Sequence, residues 1–369
     1  MKTARIILTE QPIPFASNGS WTQRIEYFLQ SKHNNIDYFI CGETNQNFPT
    51  KTIFFKVKQY KNKLLEKLCP KYRYKEYINQ LHKLSDKYDN LIICVIDNLK
   101  LQNQVSKFIN QQPVPNKYKL LFYNCGFSYF LSNKEHDAFT KNMDEIIFLT
   151  QKAYQFNKNS YAEFTPEVTI LNNPINKQQF FTIDKFSKEI LLKKYHLENK
   201  TVYLWLSHDR KKKGLDLVLN AWHHFYNENK DCVLLVVGAT RNITMAGVQF
   251  IGKVASSDVK EYYNLSHIYL FPTLWQEGFG LSLAQAMCCG CFCITANNGG
   301  VSDFFTPENG IIINDPNRVS SWTESMEIAR QKIQSGYENT TAGIQIMDYE
   351  EWSEKFGQIF EKWHNRLIH

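Results

Sequence analysis

A chain of 369 residues, 43% apolar and 14% aromatic, holds enough hydrophobic material for two domains of ordinary size and excludes a disordered or fibrous protein. The formal net charge of +7 is local: Lys51 to Lys87 carries eleven basic and three acidic residues, and the rest of the chain is nearly balanced. No apolar run approaches the roughly 18 to 20 residues that cross a bilayer, and the start of the chain lacks an apolar core of secretory length. A cytoplasmic protein is therefore expected, at most peripheral on the inner face of a membrane. Nine cysteines, four of them between Cys288 and Cys293, fit reduced, buried thiols of a cytosolic protein better than a disulfide framework.

In chain order, Arg5-Ile6-Ile7-Leu8 reads as a buried first strand. A loop with Pro12, Pro14 and Ser17-Asn18-Gly19-Ser20 follows, then a helix from about Trp21. Tyr38 to Cys41, Ile53 to Phe55, Leu91 to Ile96 and Leu120 to Tyr123 read as further buried strands, Glu145 to Leu149 as another, followed by the strand-like Val168 to Leu171. After Asn172-Asn173-Pro174 the pattern restarts. Strands are expected at Val202 to Leu206, Cys232 to Val237, Phe250 to Gly252, Ile268 to Phe271 and Phe292 to Thr295, with helices at Leu215 to Phe225 and Leu281 to Met287. Such alternation implies parallel sheets joined by right-handed crossovers. The predicted organisation is an α/β chain with one domain over residues 1–176 and a second over 177–346. A terminal helix over 347–369 would pack through its stripe of Trp352, Phe356, Ile359, Phe360 and Trp363. Open parallel sheets bind ligands beyond the carboxyl ends of their strands, so two of them facing each other would hold a ligand in the cleft between.

Trp275-Gln276-Glu277-Gly278-Phe279-Gly280-Leu281 lies between a strand and a helix. Its glycines let the backbone approach a ligand closely. A helix beginning near Gly280 would aim free N–H groups and the positive end of its dipole at the loop, which suits a diphosphate. Glu277 precedes that helix and Gln285 lies about a turn and a half inside it. Eight residues of helical rise span about 12 Å, enough to grip opposite ends of a sugar nucleotide. The plainer alternative is a strand–turn–helix with an exposed Glu and a solvated Gln.

The stretch Glu277-Gly-Phe-Gly-Leu-Ser-Leu-Ala-Gln285-Ala-Met-Cys-Cys-Gly-Cys resembles the signature of retaining glycosyltransferase family 4. That resemblance implies the GT-B fold: two facing Rossmann-like domains with a cleft between them and a C-terminal helix crossing back to the N-terminal domain. It implies that Glu277 contacts donor-sugar hydroxyls and that the backbone from Gly278 through Phe279 and Gly280 to Leu281 holds sugar and phosphate. The family's second Glu, which binds the ribose, is Gln285 here. Gln keeps hydrogen-bonding capacity without the charge, and charge-assisted bonds are roughly twice as strong as neutral ones. Asp209-Arg210-Lys211-Lys212-Lys213-Gly214 resembles the family's basic turn ending in Lys-Gly, which assigns Lys213, with Arg210 the nearest match to the family Arg, to the diphosphate leaving group. Asn298-Gly299-Gly300 resembles the family's Gly-Gly turn, and Gly252 and Val254 match the loop that contacts the base. The likeness is close from about residue 168 to 315 and weak before it. In the weak part, Gly19 takes the place of a phosphate-side glycine, and Asp97 and Asn124, at strand ends, are candidates to face the reaction centre, each with a helix cap or turn as the structural alternative.

Several constellations are set aside. Cys288 to Cys293 lacks the spacing of paired metal ligands and has no nearby His, so packed thiols are expected. Gly278 and Gly280 alone do not make a dinucleotide fingerprint. The basic segment, with Tyr60, Tyr72, Tyr74 and Tyr77 interleaved, permits nucleic-acid binding, docking on an anionic membrane surface or a solvated face, and membrane docking ranks above nucleic acid. The expected activity is retaining transfer of a hexose-type sugar from a nucleoside diphosphate to a saccharide or lipid-linked hydroxyl, in cell-surface polysaccharide or glycolipid synthesis. No metal and no cofactor beyond the sugar nucleotide are expected. The alternatives are a non-catalytic sugar-nucleotide-binding protein and a sugar-nucleotide epimerase of the same fold.

Overall fold

Runs of Ile, Leu, Val and Phe without interrupting charge form strands buried on both faces, which is what a parallel sheet covered by helices requires. The computed structural model describes residues 1–14, 20–44, 46, 48–58, 72–337 and 345–368. Two compact units result, one of residues 1–174 and 347–369, the other of 175–346. Each is built on a parallel sheet.

In the first unit the strands are β1 (Thr3–Leu8), β2 (Tyr38–Gly42), β3 (Ile53–Val57), β4 (Asn90–Ile96), β5 (Tyr118–Tyr123), β6 (Glu145–Phe148) and β7 (Glu167–Ile170), in the order β3-β2-β1-β4-β5-β6-β7. The registers set Ile6 against Ile93 and Ile93 against Leu120. The helices are α1 (Ser20–Gln30), α2 (Lys75–Lys87), α3 (Leu99–Asn110), α4 (Asn133–Thr140) and α5 (Gln151–Ser160). Asn98 caps α3 by accepting from Leu101 N at 2.9 Å. The order reverses between β1 and β4, so the loops after those strands flank this sheet's switch point. The Ile53 strand, expected to be buried, is an exposed edge, with Ile53 half open to water.

The terminal helix α11 (Tyr349–Ile368) belongs to the first unit. Its aromatic stripe is buried: Trp352, Phe356 and Phe360 are inaccessible to water. The Phe356 ring lies 5.0 Å from that of Phe28 on α1 at 81°, 4.9 Å from Trp352 and 5.7 Å from Tyr123. At the other end of the stripe the buried Glu145 carboxylate accepts from Trp363 Nε1 and from Lys362 Nζ, which compensates the burial of its charge.

The second unit holds α6 (Lys185–Lys194), β8 (Thr201–Leu206), α7 (Leu215–Phe225), β9 (Cys232–Val237), β10 (Val248–Gly252), α8 (Val259–Leu265), β11 (Ile268–Phe271), α9 (Leu281–Cys288), β12 (Phe292–Ala296), β13 (Gly310–Ile313) and α10 (Val319–Gln334). The strand order is β10-β9-β8-β11-β12-β13. The reversal lies between β8 and β11, the two strands whose loops carry the Lys213 and Glu277 motifs. Among the described residues, no helix is long and apolar enough to cross a membrane.

Truncating the centre of the aromatic stripe should leave a cavity. Phe356→Ala is expected to cost about 3–5 kcal/mol, read as a lower urea midpoint, while Phe186→Ala on α6, where Phe186 is 70% exposed, should change stability by less than about 0.5 kcal/mol.

Candidate functional site

The geometry at the second switch point starts from two glycines. Gly214, at φ 71°, closes the turn after β8 and lies against the Pro272 carbonyl after β11; a Cβ there would come within 2.0 Å of that oxygen. Only a residue without a side chain allows that approach and that left-handed backbone. The contact seats one loop on the other, and Leu274 N donates to Lys212 O at 2.8 Å to fix it. Gly299, at φ 76°, plays the same part after β12. Its absent Cβ would meet the Glu277 backbone at 2.2 Å, Gly299 forms a parallel bridge with Glu277, and Gly300 N donates to Glu277 O at 2.8 Å.

Held from both sides, the Glu277 side chain meets Lys213. Lys213 Nζ pairs with Glu277 Oε1, and the Thr273 hydroxyl lies 2.9 Å from the same oxygen. The Lys213 carbonyl accepts from the buried Trp205 indole at 3.1 Å, and Asn298 Nδ2 donates to Thr273 O at 2.7 Å. The Lys213 and Glu277 side chains are 23% and 18% exposed. They are thus partly shielded from the water that weakens a surface pair, yet still open to a ligand. A cation and an anion side by side, next to the first turn of α9, offer a phosphate a positive site and a sugar hydroxyl a carboxylate acceptor.

The other motif residues fall around this pair. Gly280, at φ 100°, ends the loop, and Leu281 opens α9. The stretch from Glu277 to Gln285 is therefore helical only in its second half, and the rise from Leu281 to Gln285 is about 6 Å. Gly278 sits in the half-buried turn beside Glu277. The Phe279 ring is buried and stacks on Phe304 at 4.5 Å. Gln285 is half-buried, and its Oε1 accepts from the Tyr263 hydroxyl at 3.3 Å. Arg210 is exposed. Gly252 and Val254 lie at the carboxyl end of β10, with Gly252 O accepting from Gly238 N at 2.7 Å.

Asp97 and Asn124 occupy adjacent strand ends of the first unit. Asp97 has φ 49°, uncommon outside glycine, and its Oδ1 accepts from Cys125 N at 3.0 Å. Removal from water raises its carboxyl pKa, while that N–H and the Arg24 guanidinium pull it down. Asn124 is buried and donates to Gly126 O at 3.2 Å, a turn residue as the structural alternative had it. Gly19 lies outside the described residues, as do Tyr60, Lys61, Lys63, Lys67 and Lys71 of the basic segment. Tyr74 and Tyr77 of that segment are core residues, Tyr77 donating to Thr9 O at 3.0 Å, so they are not part of an aromatic surface. The thiols of Cys288 and Cys291 are buried, which raises them to about 11 and about 12.

Sequence reasoning missed Thr273, Tyr263 and Arg241. The Arg241 guanidinium grips both oxygens of Asp209 at 2.7 and 2.8 Å and also pairs with Asp216 on α7, tying the loop after β9 to the basic turn. Arg241 and Tyr263 act on residues 32 and 22 positions away, so nothing local marks them, whereas Thr273 acts on Glu277 only four residues on in the same loop and carries no pattern of its own. Asp209 and Asp216 flanking a basic run were the one available hint of an outside cation.

Residues 187–331 match the family described as glycosyl transferases group 1. A phosphatidyl-myo-inositol mannosyltransferase of Propionibacterium freudenreichii is 27% identical over 105 residues, 28% of this chain and 28% of that protein. The matched regions span only 28% to 39% of the lengths of the curated relatives. HepE of Anabaena, solved in complex with UDP and glucose, superposes with a TM-score of 0.70 at 13% identity, covering 97% of this chain and 99% of that one. Sucrose-phosphate synthase of Thermosynechococcus elongatus gives 0.73 at 14% identity over 99% of this chain and 100% of that one. The fold is GT-B.

A Cβ at Gly214 should unseat the two loops. Gly214→Ala is expected to cost at least about 2 kcal/mol, whereas Gly336→Ala, at φ 84° with open space around it, should cost only about 1 kcal/mol; thermal melts of the two variants compare them.

Proposed function

We propose that the chain is a retaining glycosyltransferase of family 4, moving a hexose-type sugar from a nucleoside diphosphate to a hydroxyl of a saccharide or lipid-linked acceptor. The observation that carries this reading is the meeting of Lys213 and Glu277 beside the first turn of α9 at the switch point of the second sheet. The group 1 match over that sheet supports it, as does the HepE complex with UDP and glucose.

On donor binding, Lys213 exchanges its carboxylate partner for the diphosphate, and Glu277, kept in place by Thr273 and the Gly299 bridge, accepts from sugar hydroxyls. The bond between the anomeric carbon and the phosphate oxygen breaks, and its electron pair leaves with the diphosphate. Lys213 and the N–H groups at the start of α9 stabilise that developing charge. The acceptor oxygen attacks from the same face, and its proton passes to the departing phosphate oxygen, which retains the configuration. Arg210, exposed at the rim, adds positive charge, and Gly252 and Val254 border the base. Of the first unit's two candidates, each bonded within its turn, Asp97 is the exposed one and Asn124 is buried. The reaction is proposed to run without metal, in cell-surface polysaccharide or glycolipid synthesis in the cytoplasm, with Lys51 to Lys87 docking on anionic lipid.

Screening sugar nucleotides by thermal stabilisation identifies the donor. With that donor, Glu277→Ala and Lys213→Ala should each lower turnover by about 100-fold or more, chelator should leave the rate unchanged, and the product should keep the donor's anomeric configuration by NMR. Full turnover in Glu277→Ala would remove the role given to it. Donor conversion without acceptor would identify an epimerase instead.

A further inference from the structure

Gln285 stands where the resembling family has a carboxylate, and the surroundings of its side chain give that exchange a physical basis. Tyr263, on α8, is inaccessible to water. Its ring packs edge-on against Phe180 at 6.1 Å and Tyr269 at 5.5 Å, and its carbonyl accepts from the buried Cys291 thiol at 3.2 Å. The ring therefore has one place to be. Burial raises the phenol well above its ordinary range, so it stays protonated and acts as a donor. Gln285 Oε1, 3.3 Å away, accepts that hydrogen bond, while the nearby Tyr269 hydroxyl donates to Leu206 O at 3.3 Å.

An amide has two ends of opposite character, an acceptor oxygen and a donor NH₂. With one lone pair of the oxygen taken by Tyr263, the pair of N–H donors is the end of Gln285 that the phenol does not engage. Building on the proposed donor site, we infer that Tyr263 is a positioning residue that orients Gln285 so that its Nε2 group donates to an oxygen of the bound nucleotide, the reverse of the acceptor role a carboxylate would take there. Turned the other way, the amide would donate to the phenol oxygen, take away the acceptor of the buried Tyr263 O–H, and present its own oxygen to the ligand, and the site would favour ligand hydroxyl protons.

The test reads nucleotide binding directly, so it does not depend on sugar transfer. Dissociation constants for uridine, guanosine and adenosine diphosphate are measured calorimetrically on the wild-type chain and, for the tightest of the three, on Tyr263→Phe, Gln285→Ala, the double variant and Gln285→Glu. Tyr263→Phe should weaken binding about three- to tenfold, the range of one neutral hydrogen bond, and add less than about twofold in the Gln285→Ala background, because it acts through Gln285. In Gln285→Glu the phenol should hold one carboxylate oxygen and leave the other as an acceptor, so Tyr263→Phe is expected to lower affinity in that background as well. Thermal melts without nucleotide establish that each variant is folded. Equal losses from Tyr263→Phe with and without Gln285 would assign Tyr263 a merely structural role and overturn the inference, as would an unchanged affinity in Tyr263→Phe, or a wild-type chain that binds none of the three nucleotides. A chain that binds nucleotide with this coupling but transfers no sugar would refute the proposed function and leave the inference standing.

Discussion

The second unit turns on one close approach, the seating of Gly214 on the Pro272 carbonyl. Parallel strands β8 and β11 are neighbours in the sheet but are separated in sequence by two strands and two helices. Their loops leave the sheet in the same direction because the strands are parallel, and they would diverge unless something drew them together. The Leu274–Lys212 backbone bond does this, and the missing Cβ at Gly214 allows the approach. Everything chemically useful at this switch point depends on that contact, because it carries Lys213 to Glu277.

The Lys213–Glu277 pair in turn has two consequences. It stabilises the loops in the absence of ligand, and it keeps two opposite charges partly out of water without the cost of an unpaired buried ion. A ligand bearing both phosphate and hydroxyls can satisfy each partner separately, so the charges are exchanged rather than stripped. Arg241 does analogous work a strand further along, holding Asp209 and Asp216. Those acids are thereby kept from competing for the lysines of the basic turn.

Much of this was legible in the linear chain. Uninterrupted apolar runs such as Leu91 to Ile96 mark strands that need cover on both faces, and the Trp352-Phe356-Phe360 spacing marks one face of a helix, because periodicity is a property of neighbouring residues. The segment Glu277 to Gln285 was identifiable for a similar reason: its glycines, acid and amide sit within one loop and helix. Less legible were features that depend on distance in the fold. Ile53 to Phe55 has the composition of a buried strand, yet only its place at the end of the strand order exposes it. Tyr74 and Tyr77 look like part of a basic, aromatic surface until α2 and the turn just before it place Tyr77 and Tyr74 in the core.

By itself, then, the sequence determined the α/β alternation, the positions of the described strands other than β13 (Gly310–Ile313), the buried aromatic face of the terminal helix and the residue types of the Glu277 loop, all set by local pattern and backbone preference. The tertiary structure alone decided that Lys213 reaches Glu277, that Thr273 and Gly299 fix the carboxylate, that Arg241 occupies the acids of the basic turn, and that Gln285 faces a buried phenol. All of these but the Thr273 contact, which is made within one loop, join groups from separate elements or loops, and such a meeting follows from strand order and the absence of a Cβ at a crossing point, neither of which is written in the residues beside it.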